Sequence, residues 1–257
     1  MPRAGFRESP EEVDCMLSVI RSFFSRDFHY SSFHRALEIF AILGFFALVA
    51  VISYRAALGI ADIGWTAVWV VPMTAFLGYL VADFASGFVH WLGDTYGDEN
   101  TPVLGEGFIK PFRHHHVDPQ DIVAHDWVEV NGNNSIVLAL YMVPVALIFT
   151  DPTSMIHLFI LSMSVFFTLG VFMTNQFHKW SHMEKPPPSV AKLQQWGIIL
   201  GQEHHNVHHT APFDTYYCIT CGWLNPPLRR IQFFETIEGI LRRFFGLQTS
   251  REKSEAI

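Results

Sequence analysis

The sequence predicts an all-α integral membrane protein with about four transmembrane helices and a histidine-rich two-metal site on its cytosolic side. Three observations carry this reading. Half of the 257 residues are hydrophobic and only 16% are charged, against roughly 25% in an ordinary soluble protein. The apolar residues gather into four long stretches, and mean hydropathy is +0.23. All but His29, His34 and His157 of the 14 histidines fall into four clusters. The net charge of −7 lacks the basic excess of a nucleic-acid binder. Three cysteines are too few for a disulfide scaffold.

The elements follow in chain order. Residues 1–35 form an N-terminal segment whose apolar patches, Val13 to Ile20 and Phe23-Phe24, are broken by Arg21 and Arg26; this is the pattern of an amphipathic surface helix. Residues 36–257 make the membrane-embedded domain. Its first span covers Ala36 to Leu58, with Glu38 and Arg55 as the only charges. It begins too far from the start to be a secretory signal. The second covers Trp65 to Ala82 and continues apolar to Trp91. The third, Ser135 to Thr150, is short for the ~17–25 residues a bilayer core needs and carries Pro144, so a kinked or tilted span is expected. Asp151-Pro152 makes a tight turn into the fourth, Met155 to Phe177. The tail from Leu228 to Leu247 alternates arginine pairs with large apolar residues and reads as a helix lying on the membrane surface.

Four spans put both termini and the 92–134 loop on one side. That side holds every one of the 17 lysines and arginines except Arg55. Positive residues stay in the cytosol, so the termini and the loop are placed there.

The histidine clusters all fall on that same side. They are His90 with Asp94; His114, His115 and His116, with His125 farther on; His178 and His182; and His204, His205, His208 and His209. Residues at i and i+4 share a helix face. His90 therefore points with Asp94, His178 with His182, and His204 with His208. His205, His208 and His209 form one stripe. Neutral imidazole suits iron, copper and zinc, and so many imidazoles exceed the three or four ligands of a single zinc site. Two metal ions are the economical reading. The candidate ligands are His90, Asp94, His115, His116, His178, His182, His204, His205, His208 and His209. His114 and His125 are possible ligands or supports, since three consecutive side chains cannot face one centre. The isolated His29, His34 and His157 read as interfacial polar residues, and Cys218 and Cys221 as ordinary buried cysteines.

At these residues the chain resembles the plasmanylethanolamine desaturase, or lipid desaturase domain, family. The matching stretches are Ala82-Asp-Phe-Ala-Ser-Gly-Phe-Val-His-Trp91, Phe108-Ile-Lys-Pro-Phe-Arg113, His115-His-Val-Asp-Pro119, His125-Asp126, Asn131-Gly132, Thr174-Asn-Gln-Phe-His-Lys-Trp-Ser-His182, His204-His-Asn-Val-His-His209, Cys218-Ile-Thr220 and Gly222-Trp-Leu-Asn225. They lie within 82–245. His114 stands where animal members have a glutamate. The resemblance implies two iron ions and O2 as co-substrate. It also implies a 1-O-alkyl ethanolamine phospholipid as substrate, with the 1-O-alk-1′-enyl plasmalogen as product. With no dinucleotide or haem motif in the chain, the electrons come from an external donor of cytochrome b5 or ferredoxin type. The membrane would be the endoplasmic reticulum in a eukaryote and the inner membrane in a bacterium. Two alternatives remain open: a desaturase or hydroxylase of another lipid chain, and a metal-transport membrane protein. A transporter places its ligands near mid-membrane, whereas these lie at one surface.

Overall fold

A computed structural model describes residues 31–102 and 104–255 of the chain. The amphipathic helix expected within residues 1–35 lies almost wholly outside them. The described chain is helical, and four of its helices are long and apolar enough to cross a membrane.

Helix α1 spans Ser32–Ile63. Ser31 caps it by accepting the His34 N–H, and Gly64, at φ +101°, ends it. A short 3-10 turn over Trp65–Trp69 then exposes Trp65 and Trp69, as an aromatic belt at a bilayer boundary would. It leads into α2, Val70–Thr95. The loop that follows carries α3, Lys110–Val117, and the single turn α4, Asp121–Ala124. Helices α5, Trp127–Ile148, and α6, Met155–His182, form the hairpin. Beyond it come the short α7, Pro188–Gln195, and α8, Gln202–Asn206. The chain closes with α9, Asn225–Arg230, α10, Phe233–Phe245, and α11, Ser250–Glu255.

Two elements differ from the sequence expectation. The third span starts at Trp127, not Ser135, and is 22 residues long, enough to cross. Its polar first turns hide it from a hydropathy reading. They are nonetheless helical because Asp126 accepts the N–H groups of Val128 and Glu129 while the Glu129 carboxylate accepts the Asp126 N–H, a reciprocal cap. The Leu228–Leu247 tail is two helices, broken where Gln232 adopts a left-handed φ of 51°.

α1 packs on α5 and α6, and α2 on α6. Phe45 and Phe172 stack at 4.8 Å in the middle of this core. Few apolar atoms gain from leaving lipid, so such helices associate through small residues and polar links. Both are present. A Cβ at Gly78 of α2 would lie 2.8 Å from the Phe167 backbone nitrogen, and one at Gly170 of α6 would lie 2.6 Å from Ala82 Cβ. Asn175 and Asn134 side chains donate to the Val130 and Val171 carbonyls. Arg35, buried in α1, donates twice to the Asp126 carboxylate at 2.9 and 2.6 Å. That pair joins the α1 and α5 starts at the same end of the bundle where α2 and α6 finish. His157 sits at the opposite end, accepting the Asp151 N–H.

Gly78→Val should therefore drive a branched side chain into the α6 backbone. Overpacking of this kind costs about 2–3 kcal/mol, roughly 5–10 °C in Tm. At Gly44 a Cβ meets nothing within 4 Å, so Gly44→Val should leave Tm nearly unchanged. Thermal unfolding of the two variants in detergent checks the contrast.

Candidate metal centre

The last turn of α2 presents His90 and Asp94 on one face, and the last turn of α6 presents His178 and His182. The α2–α6 contact brings the two turns side by side, with the His90 and His178 rings 5.9 Å apart. Helix α3 is laid across them. Gly93 leaves room for the Phe112 ring, which a Cβ would approach to 2.9 Å, and Arg113 donates to the Tyr96 and Gly97 carbonyls. Consecutive residues on α3 are about 100° apart. His115 and His116 therefore turn to different neighbours, and His114 turns outward, exposed.

Two groups of potential ligand atoms result. The first holds His90, Asp94, His116 and His208; the second holds His115, His178, His182, His205 and His209. The groups abut, with the His116 and His209 rings 5.1 Å apart and those of His208 and His209 5.5 Å apart.

In the first group the Asp94 carboxylate faces three imidazole Nε2 atoms. His116 lies 3.2 Å from Oδ1, and His90 and His208 each lie 3.4 Å from Oδ2. The other nitrogen of His90 donates to the Tyr217 carbonyl at 3.1 Å, and that of His208 to the Thr215 carbonyl at 2.8 Å. A carbonyl can only accept, so each ring carries a proton on Nδ1 and presents its Nε2 to Asp94. The Nε2 atoms of His90, His116 and His208 and both Asp94 oxygens are buried without a hydrogen bond of acceptable geometry. Unpaired buried polar atoms cost stability. A cation among them removes that cost.

In the second group neighbouring Nε2 atoms approach one another at 2.8 to 3.2 Å. Imidazole nitrogens bound at ~2.0–2.1 Å to a common ion, at right angles, would lie about 3.0 Å apart. Hydrogen bonding alone cannot account for the group. His205 Nε2 has His178, His182 and His209 as neighbours, yet a neutral ring has at Nε2 either one proton or one lone pair. Burial and the surrounding imidazoles hold His115, His205 and His209 well below the usual histidine range. At neutral pH all three are lone-pair donors, as a metal requires.

Not every expected residue joins. His204, read as a partner of His208, lies outside both groups. Its Nε2 faces the Asn225 side chain at 3.1 Å and its ring packs on Tyr216. The reason is local. α8 ends at Asn206, the i,i+4 pairing is kept by His205 and His209, and the turn after it sends His208 to Asp94. The single stripe expected of His205, His208 and His209 is thus divided between the groups. His125 also stays apart, 3.6 Å from Asp121, while its carbonyl accepts from Lys179. Cys218 and Cys221 are buried and free, and burial pushes both thiols up.

The residues that hold the ligands in place were less visible in the sequence. Asp83, in α2, is fully buried. It accepts the N–H groups of Cys221, Gly222 and Leu224. Asn225 brackets Cys218, accepting its N–H and donating to its carbonyl. Together they fix the loop whose Thr215 and Tyr217 carbonyls orient His208 and His90. Ser250, in α11, donates to the Asp94 and Thr95 carbonyls. Arg251 links Tyr217 to Glu238, which also accepts from Trp91. An ionisable residue inside a membrane span is a functional candidate by default, and Asp83 also lies in the Ala82–Trp91 stretch that carries the family resemblance.

The profile of the lipid desaturase domain matches residues 79–252. The chain is 44% identical over 219 residues to the plasmanylethanolamine desaturase of Myxococcus xanthus, covering 85% of this chain and 75% of that one. It is 42% identical over 190 residues to plasmanylethanolamine desaturase 1 of Mus musculus, covering 71% and 69%. To the chloroplastic fatty acid desaturase 4 of Arabidopsis thaliana it is 34% identical, covering 68% and 53%. No solved structure matches significantly.

The neutral histidines set a pH dependence for the metal-free protein. Their folded values lie below the unfolded value of 6.5, so the unfolded chain binds protons that the folded one refuses. Stability is therefore intact above pH 6.5 and lost as pH falls below it, by up to about 1.4 kcal/mol per pH unit for the fully buried His205. Chelator-stripped protein should melt at a lower temperature at about pH 5.5 than at about pH 7.5. An equal or higher Tm in acid would contradict the neutral assignment.

Proposed function

The chain belongs to the lipid desaturase domain family, and from that premise we propose that it is an oxygen-dependent di-iron desaturase of ether phospholipids. The observation that carries the proposal is the pair of abutting groups, one of three imidazoles and a carboxylate, the other of five imidazoles. In this reading His90, Asp94, His116 and His208 hold one iron. His115, His178, His182, His205 and His209 hold the other. His204, His114 and His125 are not ligands. Histidine nitrogen suits iron, and the buried unpaired atoms of the first group fit a cation.

The substrate is a 1-O-alkyl-2-acyl phospholipid with an ethanolamine head, as the names of the bacterial and mouse relatives imply. The alkyl chain loses one hydrogen from each of the two carbons next to the ether oxygen. One O2, two electrons and two protons are consumed, and two waters leave with the vinyl ether. The electrons arrive from an external carrier of cytochrome b5 or ferredoxin type. Bound iron, with O2, supplies the oxidant that an unactivated C–H bond requires. The protein supplies the rest. Tyr217 and Thr215 carbonyls hold the Nδ1 protons of His90 and His208, so both rings keep one orientation throughout. Asp94, whose backbone is held by Ser250, adds the negative charge that neutral imidazoles lack. Trp91, Tyr217 and Phe234 pack as an apolar wall behind the first group and keep water from it. The termini and the metal centre lie on the cytosolic side, the side that holds every lysine and arginine except Arg55.

The test expresses the protein in cells that make alkyl ether lipids but no plasmalogen, beside His208→Ala and Asp94→Ala. Vinyl ethers are acid-labile, so acid should release long-chain aldehyde only from lipids of cells with the intact protein. Purified protein should contain about two irons, and each variant should lose iron and at least about 100-fold in activity. A new double bond in an acyl chain, with no aldehyde, would replace the ether substrate with an acyl one.

A further inference from the structure

Outside the metal centre, an irregular segment rests against the outward side of α2. Helix α7 ends in a tight turn at Gly197, whose φ of +64° is left-handed, and the turn presents Trp196 and Ile198, both exposed. Trp223 comes from a separate loop and joins them. Its indole N–H donates to the Gly197 carbonyl. Its ring lies 6.3 Å from that of Phe76 and 5.7 Å from that of Tyr79. The Tyr79 hydroxyl donates to the Ile198 carbonyl at 2.6 Å. The segment is thus pinned to two residues of a spanning helix.

The level of this contact decides its surroundings. Trp127, the first residue of α5, meets Phe172 of α6 at 5.8 Å, and Ala82 of α2 faces Gly170, two residues earlier on α6. The third span therefore begins close to the level of Ala82. Tyr79 and Phe76 lie three and six residues deeper, about 5 and 9 Å at 1.5 Å per residue. An element lying in the interface sinks its apolar face about 5–10 Å into the boundary of head groups and acyl chains. Phe76 and Leu77 are themselves exposed on α2, so the lipid that covers them reaches the turn beside them.

The backbone of the turn suits that place. Irregular chain at membrane depth must pair its polar groups without water. The N–H groups of Trp196, Gly197 and Ile198 donate to the carbonyls of Lys192, Gln194 and Leu193. The carbonyls of Gly197 and Ile198 accept from Trp223 and Tyr79. What points outward is two indoles and an isoleucine, side chains of an interfacial belt. One helical turn earlier, the exposed Lys192 holds its ammonium 5.0 Å from the centre of the Trp196 ring. Its stem can lie on apolar surface while its charge meets a lipid phosphate.

We propose that Trp196, Ile198 and Trp223 form an anchor inserted in the phospholipid leaflet on the histidine-bearing side of the membrane, with Lys192 at the head-group phosphates. The occupant is the bilayer, because the anchor continues the exposed face of α2 at a depth where α2 is already in lipid. The anchor requires the four-span fold alone, whatever lipid the centre acts on. From this turn the chain runs directly into α8, which carries His205, so the leaflet steadies one source of the second group's ligands.

The test uses the purified full chain in phosphatidylcholine nanodiscs. Cys218 and Cys221 are buried, so in a Cys15→Ser background Trp196→Cys, Ile198→Cys and Lys185→Cys each take one fluorophore. Lys185 is exposed beyond the end of α6. Quenching by aqueous iodide should be at least about fivefold weaker at 196 and 198 than at 185, as burial below the head groups requires. A nitroxide high on the phosphatidylcholine acyl chain should quench in the opposite order. The unaltered protein supplies a second measurement that no folding defect can confuse. A phosphatidylcholine with a diazirine high on its acyl chain should, on illumination, label 196–198 and Trp223 together with 76–77. Iodide quenching as strong at 196 and 198 as at 185, or photolabel confined to the spans, overturns the anchor. Cross-links between two copies at Trp196 or Trp223, with no lipid label there, overturn it in favour of a contact between chains.

Discussion

At Gly78 and Gly170 the backbones of α2 and α6 come closer than any side chain would permit, and the metal centre depends on that approach. Four of the nine converging residues stand on the last turns of these two helices: His90 and Asp94 on α2, His178 and His182 on α6. Imidazole nitrogens must converge to within a few tenths of an ångström to share an ion, and a helix carries that precision along its length. The glycines set the distance, and the hydrogen bonds of Asn134 to an α6 carbonyl and of Asn175 to an α5 carbonyl hold the third span to α6. Lipid on the outside offers no hydrophobic incentive for any of these contacts, which is why small residues and amides do the joining.

The other five candidate ligands come from non-spanning chain, and the segments around them are braced against α2. Phe112 sits in the notch at Gly93 and orients α3. The loop before α9 is held by Asp83, whose two oxygens accept three backbone N–H groups. That loop presses so closely on Gly87 that a Cβ there would meet the Cys218 sulfur at 2.4 Å. α11 is tied to the α2 terminus through Ser250. A single buried carboxylate thus supports the carbonyls that set the tautomers of His90 and His208. Supports of this kind commonly change metal affinity 10–100-fold when removed.

Much of this was legible in the sequence, and what was not has physical causes. Four spans and four histidine clusters follow from hydropathy and from i,i+4 spacing. The third span was misjudged because Asn131, Asn133 and Asn134 look like loop, whereas the Asp126–Glu129 cap makes them helix. The His204–His208 pairing failed because the helix rule was carried past Asn206, where the helix stops. The division of His115 and His116 between two groups was foreshadowed by the 100° step between neighbours, but which neighbour faces which centre depends on how α3 docks. Carbonyl partners such as those of Thr215 and Tyr217 have no sequence signature at all, since every residue has one.

The position of the centre bears on which bond the protein can attack. The histidines sit at the ends of α2 and α6, at the boundary of the spans. A lipid whose head stays at the membrane surface brings to this level only the first carbons of its chain. Carbons deep in an acyl tail would need the chain to fold back on itself or the head to rise far out of the surface, and each forfeits apolar burial at about 0.8 kcal/mol per methylene. On the proposed reading, selection of the carbons beside the ether oxygen needs no side chain that recognises the ether itself. Membrane depth makes the selection: the metals are placed where the head group ends, and the chain hangs from there.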